Sequence, residues 1–206
     1  AKIFQHMKTV LELSTSKAMD YFLQPSNYTT IAFPKYFNFN KIIDFVKTKI
    51  GRKDFSMCLK DVKKFPSDYD KVSYHLLMNK DGRYAYRPLQ LVNPYLYYFL
   101  VREITKAPNW KFLKKRFKEF ENENCEVVSI PLVKDAKDKS MIATTIKSWW
   151  EHIEQRSIEL SLEYKYLFVT DITNCYGAIY THSISWALYG MLYAKEHREE
   201  KNLGKS

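Results

Sequence analysis

Asp171 closes an apolar run, and an aromatic residue, Tyr176, follows it five positions later. Tyr166, Leu167, Phe168 and Val169 are bulky or β-branched, the composition of a buried strand, so the Asp171 carboxylate is expected at a strand end. A carboxylate held there, with little else acidic beside it, can serve as a metal ligand. Asp is also common in turns, where it bonds its own backbone, so these residues alone leave both roles open. Thr181 is expected to cap a helix whose apolar positions are Ile184, Ala187, Leu188 and Met191. His182 is the histidine nearest to Asp171, just inside that helix start, where a structural hydrogen bond is the ordinary role. No Gly-rich phosphate loop occurs, so a P-loop or Rossmann site has no support.

The elements that must position these groups read as follows. Val10 and Leu11 continue an apolar face begun by Ile3, Phe4 and Met7, which predicts an opening helix. Ser14 or Ser16 caps a second helix through Ala18, Met19, Phe22 and Leu23, stopped by Pro25. Tyr28 to Phe39 is aromatic and irregular, an extended segment laid on the domain. Asn40 caps a helix with Ile42, Ile43, Val46 and Ile50 inward, ended by Gly51. Arg52 to Lys64 is basic and in part helical.

Val72–Met78 and Tyr84–Leu91 flank Asn79-Lys80-Asp81-Gly82, a turn signal that predicts a β-hairpin. Arg83 and Arg87 fall on one face of its second strand, opposite Tyr84 and Tyr86. That pattern suits a phosphate-contacting arm packed on a core, or equally a sheet with one solvated face. Asn93-Pro94 starts a helix in which Tyr95, Leu96, Phe99 and Leu100 repeat at helical spacing, and Pro108 blocks its continuation. A helix beyond Pro108 turns Trp110, Leu113, Phe117 and Phe120 inward and carries Lys111, Lys114, Lys115, Arg116 and Lys118. Those cations suit a nucleic-acid backbone, although a solvated face is the commoner reason for such a run. Glu126 to Leu132 reads as a strand, Lys134 to Lys139 as a charged loop, and Met141 to Ile153 as a helix. The order is α+β, without βαβ alternation.

The chain has 206 residues and a net charge of +10, which favours an anionic partner, nucleic acid before membrane surface. Cys58, Cys125 and Cys175 are odd in number and form no CxxC, which argues against a disulfide framework or zinc site and suits a reducing cytoplasm. Cys58 and Cys125 read as small buried hydrophobes. No apolar run approaches the ~20 residues of a transmembrane helix, and no signal-peptide pattern opens the chain. Ala1 at the start and the polar Glu199–Ser206 at the end read as cuts within a longer gene product.

The string DITNCYGAIYTHSISWA, Asp171 to Ala187, resembles the first catalytic motif of reverse transcriptases, in the bacterial defence branch that includes the abortive-infection enzymes. RPLQLVNPYLYYFLVREI, Arg87 to Ile104, resembles the fingers motif of that branch, and YFLQPSNYTTIAFPKYFNF, Tyr21 to Phe39, its N-terminal region. Cys175 stands where the family usually has an aromatic residue, and Gly177-Ala178 where it often has Pro-Ser. The family's Gln-Gly motif and Tyr-x-Asp-Asp turn do not occur before the chain ends. The resemblance therefore implies the fingers and first part of the palm of a longer right-hand polymerase. In that reading 1–70 is the N-terminal helical part of the fingers, 71–160 the fingers with the hairpin, and 161–206 the start of the palm.

The resemblance also implies a chemistry. It makes Asp171 a ligand of two Mg2+ ions (Mn2+ serving in their place), with the Ile172 carbonyl as a further ligand. Tyr176 falls at the family's sugar gate, where a ring excludes the 2′-hydroxyl of a ribonucleotide. Arg87, Arg83 and Lys134 become candidates for the triphosphate or the template backbone, through charge-assisted hydrogen bonds. The expected partners are an RNA template, a DNA product and deoxynucleoside triphosphates, with no membrane. The expected activity is RNA-directed DNA synthesis in antiphage defence, or template-independent synthesis primed from a protein hydroxyl. A non-catalytic nucleic-acid-binding module is the alternative from another class, and a scaffold that assembles into a homo-oligomer through its aromatic surfaces is a third.

Overall fold

The computed structural model describes residues 8–29, 31, 33–34, 36–58, 73–80, 82–83, 85–121, 129–133, 141–172 and 175–198, with the backbone alone at 56, 58, 141–148 and 176. Among these residues the architecture is mixed α+β, mostly helical, with one two-stranded antiparallel sheet. The chain forms two compact units, Ala1–Lys147 and Ser148–Ser206.

The first unit opens with a single 3-10 turn, Val10–Glu12. Of the predicted opening helix, Ile3, Phe4 and Met7 lie outside the described residues. Thr9 and Glu12 close the turn reciprocally, the Thr9 N–H donating to Glu12 Oε1 at 2.7 Å. Helix α1, Thr15–Phe22, is capped by Ser14, whose Oγ accepts from the Lys17 N–H. Pro25 stops it as expected and then occupies the first position of a short helix, α2, Pro25–Tyr28.

Helix α3, Phe39–Ile50, begins two residues before its expected start. Asn38 is the cap, not Asn40, its Oδ1 accepting from the Lys41 N–H at 3.2 Å. Either Asn has the right chemistry, and starting at Asn38 brings the Phe39 ring 5.1 Å from Phe33 and 5.6 Å from Tyr28. Gly51 ends α3 at φ +54°, in the left-handed region that favours glycine. Ile43, Val46 and Ile50 are buried as predicted, but Ile42 faces outward. One turn of helix, α4, spans Phe55–Cys58. The rest of the basic stretch through Lys64 lies outside the described residues.

Strands β1, Tyr74–Asn79, and β2, Tyr86–Leu91, pair from Tyr74↔Leu91 to Asn79↔Tyr86. The turn is wider than an Asp-Gly two-residue connection. Lys80 N–H donates to the Ala85 carbonyl at 2.9 Å, and Gly82, at φ +76°, donates to Asn79 Oδ1 at 2.8 Å. Arg83 therefore lies in the turn rather than on the second strand, a correction of the strand-face reading. Arg87 sits opposite Met78, on the face that carries the half-buried pair Leu76↔Leu89. Tyr86 lies on the other face, exposed, so the aromatic face is not the one packed inward.

Asn93 caps α5, Pro94–Thr105, its Oδ1 accepting from the Tyr95 N–H at 2.9 Å, with Pro94 at the position that needs no N–H. The buried residues of α5 are Tyr98, Val101 and Thr105; of the apolar repeat Tyr95, Leu96, Phe99 and Leu100, Phe99 packs against the apolar cluster that holds Tyr98 and Val101, while Tyr95 and Leu100 are exposed. Lys106 separates α5 from α6, Ala107–Glu119, so Pro108 falls in the first turn of a new helix. Trp110 is buried and Leu113 half-buried, but Phe117 and Phe120 are exposed. Of the strand expected at Glu126–Leu132, residues 122–128 lie outside the description. Leu132 makes an isolated antiparallel bridge with Thr9, fastened by Val10 N–H to Pro131 O at 2.8 Å and Val133 N–H to Lys8 O at 2.7 Å.

Two apolar clusters result. Leu23, Ile43, Val46, Ile50, Tyr98 and Val101 form one. Val10, Leu13, Ala18, Tyr21 and Trp110 form the other, and Phe22 packs against both. The first cluster draws on both sides of residue 70, joining α3 to α5. Tyr97 O–H donates to the Phe22 carbonyl at 2.5 Å, and burial, then Tyr28 and Tyr21, push its phenol up to about 12. A phenol with a raised folded pKa favours the folded state fully below its unfolded value of about 10, and that contribution is lost as pH rises through the folded value. Stability measured by urea unfolding is thus expected to fall between about pH 10 and 12, and Tyr97→Phe to reduce that fall, leaving the parts due to Tyr21 and Tyr28, whose phenols burial also raises. An unchanged alkaline slope in the variant counts against the assignment.

The second unit contains most of α7, Met141–Glu163, which runs ten residues beyond its expected end. Trp149 and Trp150 meet edge to face on it, 4.9 Å apart. A helical turn, α8, Cys175–Ala178, precedes α9, His182–Tyr189, and α10, Met191–Glu196. Gly190, at φ +89°, separates the last two. Trp186 packs near Tyr180 and beneath the Lys195 ammonium, and Ala194 is buried. Ile184, expected inward, is exposed. Among the described residues no helix is long and apolar enough to cross a membrane.

Candidate functional site

The chain leaves α7 with Tyr164 N–H bonded to Leu160 O at 2.8 Å, then runs without regular secondary structure as far as Ile172. The buried strand expected at Tyr166–Val169 is absent, and its four side chains are 78–88% exposed. A strand needs a neighbour for its N–H and C=O groups, and among the described residues none pairs with this one. Asp171 therefore stands on an open segment rather than at a strand end. Its carboxylate is exposed, as is Ile172.

Tyr176 lies in α8, five residues beyond Asp171, with its ring outside the described atoms. Thr181 precedes α9 as expected, but its side chain accepts no capping bond, and its backbone is already helical at φ −56° and ψ −34°. His182 makes a ring contact with Tyr180, 4.8 Å between centroids. Cys175 is a free, exposed thiol. Arg87 and Arg83 belong to the first unit, on β2 and in the turn before it. Lys134 lies outside the described residues, as do the side chains of Cys58 and Cys125.

Asp171 offers carboxylate oxygens and Ile172 a backbone carbonyl, hard donors of the kind magnesium takes. Two ions about 4 Å apart need more carboxylates than one. Among the described residues no three His, Cys, Asp or Glu side chains converge. The donor set thus fits one part of a magnesium site and does not make up a whole one.

The cations of α6 are partly engaged. Glu119 accepts from Arg116 at 2.5 Å and lies 3.5 Å from the Lys115 ammonium. The Arg116 hydrogen bond, with Lys115 adding to it, holds the Glu119 carboxyl below its usual range. Lys115 and Arg116 are consequently paired within their own helix, which favours a solvated face over a backbone-tracking one.

One feature was not legible in the periodicity. Leu96, Phe99 and Leu100 line a cleft of about 440 Å³ with Phe55 and Val92, beside Arg102. Arg102 donates to the Lys53 carbonyl at 2.7 Å and stacks over Phe99 at 5.6 Å. Leu96 and Leu100 of the apolar stripe on α5 thus face this cleft, while Phe99 both lines it and packs against the first apolar cluster. No family model and no curated protein matches the chain.

Proposed function

We propose that the chain is the fingers and the first part of the palm of a DNA polymerase similar to the bacterial defence reverse transcriptases. Its activity is nucleotidyl transfer from deoxynucleoside triphosphates in antiphage defence. The observation that carries this reading is the continuous string from Asp171 to Ala187, in which the acid, the aromatic residue five positions on and the Tyr180-Thr181-His182-Ser183 segment keep the family's order. The exposure of Asp171 and Ile172 supports it, since a ligand serving a nucleotide must be reachable.

Magnesium, when bound, supplies electrostatic stabilisation to the entering and leaving oxygens of an in-line displacement. Asp171 and the Ile172 carbonyl would hold part of that site. Arg87 and Arg83 provide guanidinium donors suited to phosphate. Tyr176 stands at the family's sugar-gate position, where an aromatic ring leaves no room for a ribonucleotide 2′-hydroxyl and so selects deoxynucleotides. Tyr176→Ala in the complete enzyme is therefore expected to admit ribonucleotides, read as the ratio of ribonucleotide to deoxynucleotide incorporation. An unchanged ratio removes the gate.

The decisive experiment supplies the complete protein with deoxynucleoside triphosphates and magnesium, with and without a primed RNA template. Template-dependent DNA establishes reverse transcription. Product formed without template and joined to protein establishes the protein-primed alternative. Nucleic-acid binding with no synthesis establishes the binding module, which the net charge of +10 also suits, and overturns the enzyme. The 206-residue chain alone is expected to incorporate nothing, because one carboxylate cannot hold two ions in working geometry. Robust synthesis by that chain would overturn this expectation.

A further inference from the structure

The cleft along α5 takes no part in the proposed activity. It lies wholly within the first unit, and its chemistry changes from one end to the other. Val92, Leu96 and Leu100 follow one another at four-residue spacing, and Phe55 and Phe99, with ring centroids 5.0 Å apart, complete the apolar lining. The charged lining comes from the C-terminal end of the helix, where Arg102, Glu103 and Lys106 are joined by Asp54. Leu96 and Lys106 are about 15 Å apart along the helix axis, so the cleft is elongated. Its volume of about 440 Å³ is in the range of small-molecule sites. An apolar run that ends in charge suits a ligand with an apolar body and one charged head.

Arg102 sets the sign of that head. It is half-buried, and its guanidinium lies 5.6 Å from the centre of the Phe99 ring and 6.0 Å from that of Tyr98. Its bond to the Lys53 carbonyl uses one of five N–H donors. Among the described residues no carboxylate forms an ion pair with it. Glu103, its neighbour in sequence, is taken up by the Lys106 ammonium at 2.6 Å and by the Asn109 amide at 3.1 Å. A guanidinium held against aromatic faces, with donors to spare and no carboxylate, is preorganised for a planar anion. We propose that the cleft binds a small aliphatic carboxylic acid, its chain along Val92, Leu96 and Leu100 and its carboxylate on Arg102. The last turn of a helix repels an anion, so the guanidinium carries the recognition of charge by itself. Each methylene removed from water adds about fourfold to the affinity. None of this depends on Asp171, so its failure would leave the proposed polymerase standing, and the reverse holds.

The test is isothermal titration calorimetry of the 206-residue chain with decanoate, decanol and decylammonium, each kept below the concentration at which it self-associates. A single decanoate is expected to bind per chain, about tenfold or more tighter than decanol, with decylammonium weakest. Shortening the acid to hexanoate is expected to weaken binding by at least about tenfold. Arg102→Gln is expected to bring decanoate down to the affinity of decanol while leaving decanol itself unchanged, a selective loss that misfolding would not produce. Arg102→Lys keeps the charge without the planar fork and is expected to fall between the two. Leu100 is exposed, so Leu100→Trp can occupy the cleft without disturbing the core, and it is expected to abolish binding of both acid and alcohol. No binding of decanoate, equal affinity for acid and alcohol, or decanoate binding that survives Arg102→Gln or Leu100→Trp overturns the proposal. So does a preference for decylammonium, which would make Asp54 the recognising group.

Discussion

On the proposed function, Asp171→Asn in the full-length protein is expected to reduce deoxynucleotide incorporation on the order of a thousand-fold, with the fold and the affinity for nucleic acid nearly unchanged. The substitution keeps the shape of the side chain and removes its charge. Asp171 is exposed on an irregular segment, so no packing depends on the carboxylate. An amide is a poor ligand for magnesium beside a carboxylate, and the missing negative charge would be felt most where the displacement concentrates charge. Thermal unfolding and strand-binding affinity, measured on the same preparation, separate this from a folding defect. If Asp171 serves only the turn, Asn serves it equally well, because both bond the backbone two residues on. Synthesis at the parental rate would then return Asp171 to a turn residue and remove the basis of the proposed activity.

Trp110→Ala is expected to destabilise the first unit by about 3–5 kcal/mol, a large part of the ~5–15 kcal/mol that holds a domain together. Trp110 is 4% exposed, lies in the cluster of Val10, Leu13, Ala18 and Tyr21, and meets Phe22 edge to face at 6.1 Å. Its indole N–H donates to the Leu13 carbonyl at 3.0 Å, tying α6 to the turn that precedes α1. Alanine empties the ring site and orphans that carbonyl together. Trp110→Phe retains most of the volume and loses only the donor, so about 1–3 kcal/mol is expected. Urea midpoints of the 206-residue chain, compared with the parent, check both values. Equal effects from the two substitutions would show that the hydrogen bond, and not the cavity, dominates.

Local chemistry was the legible part of the fold. Ser14, Asn93-Pro94, Gly51 and Pro25 act where their side chains or ring dictate, because caps and breakers depend on backbone groups within a turn or so of themselves. The hairpin was legible for the same reason, although its wider turn moved Arg83 off the strand. Inward faces were less so. Apolar spacing finds the stripe on a helix but not what lies against it, and on α5 the core took Tyr98 and Val101 with Phe99 packed against them, while Leu96 and Leu100 went to a cleft that Phe99 also lines. On α6 only the Trp110 end of the expected stripe is covered, and Phe117 and Phe120 are left outside.

The site divides along the same line. By itself the sequence determined the identity and spacing of Asp171, Ile172, Tyr176 and the Tyr-Thr-His-Ser segment, the basic balance, and the aromatic crowding between Tyr28 and Phe45. Tertiary structure decided their settings. The apolar run before Asp171 did not become a buried strand, because a strand exists only with a hydrogen-bonded neighbour and none of the described residues provides one. The Tyr28 ring meets Phe39 and Tyr97, far along the chain from it, because the chain folds back on the core against which Tyr28 and Tyr97 pack. Residue type and order are local and can be read along the chain, whereas pairing and burial belong to whatever lies across the gap.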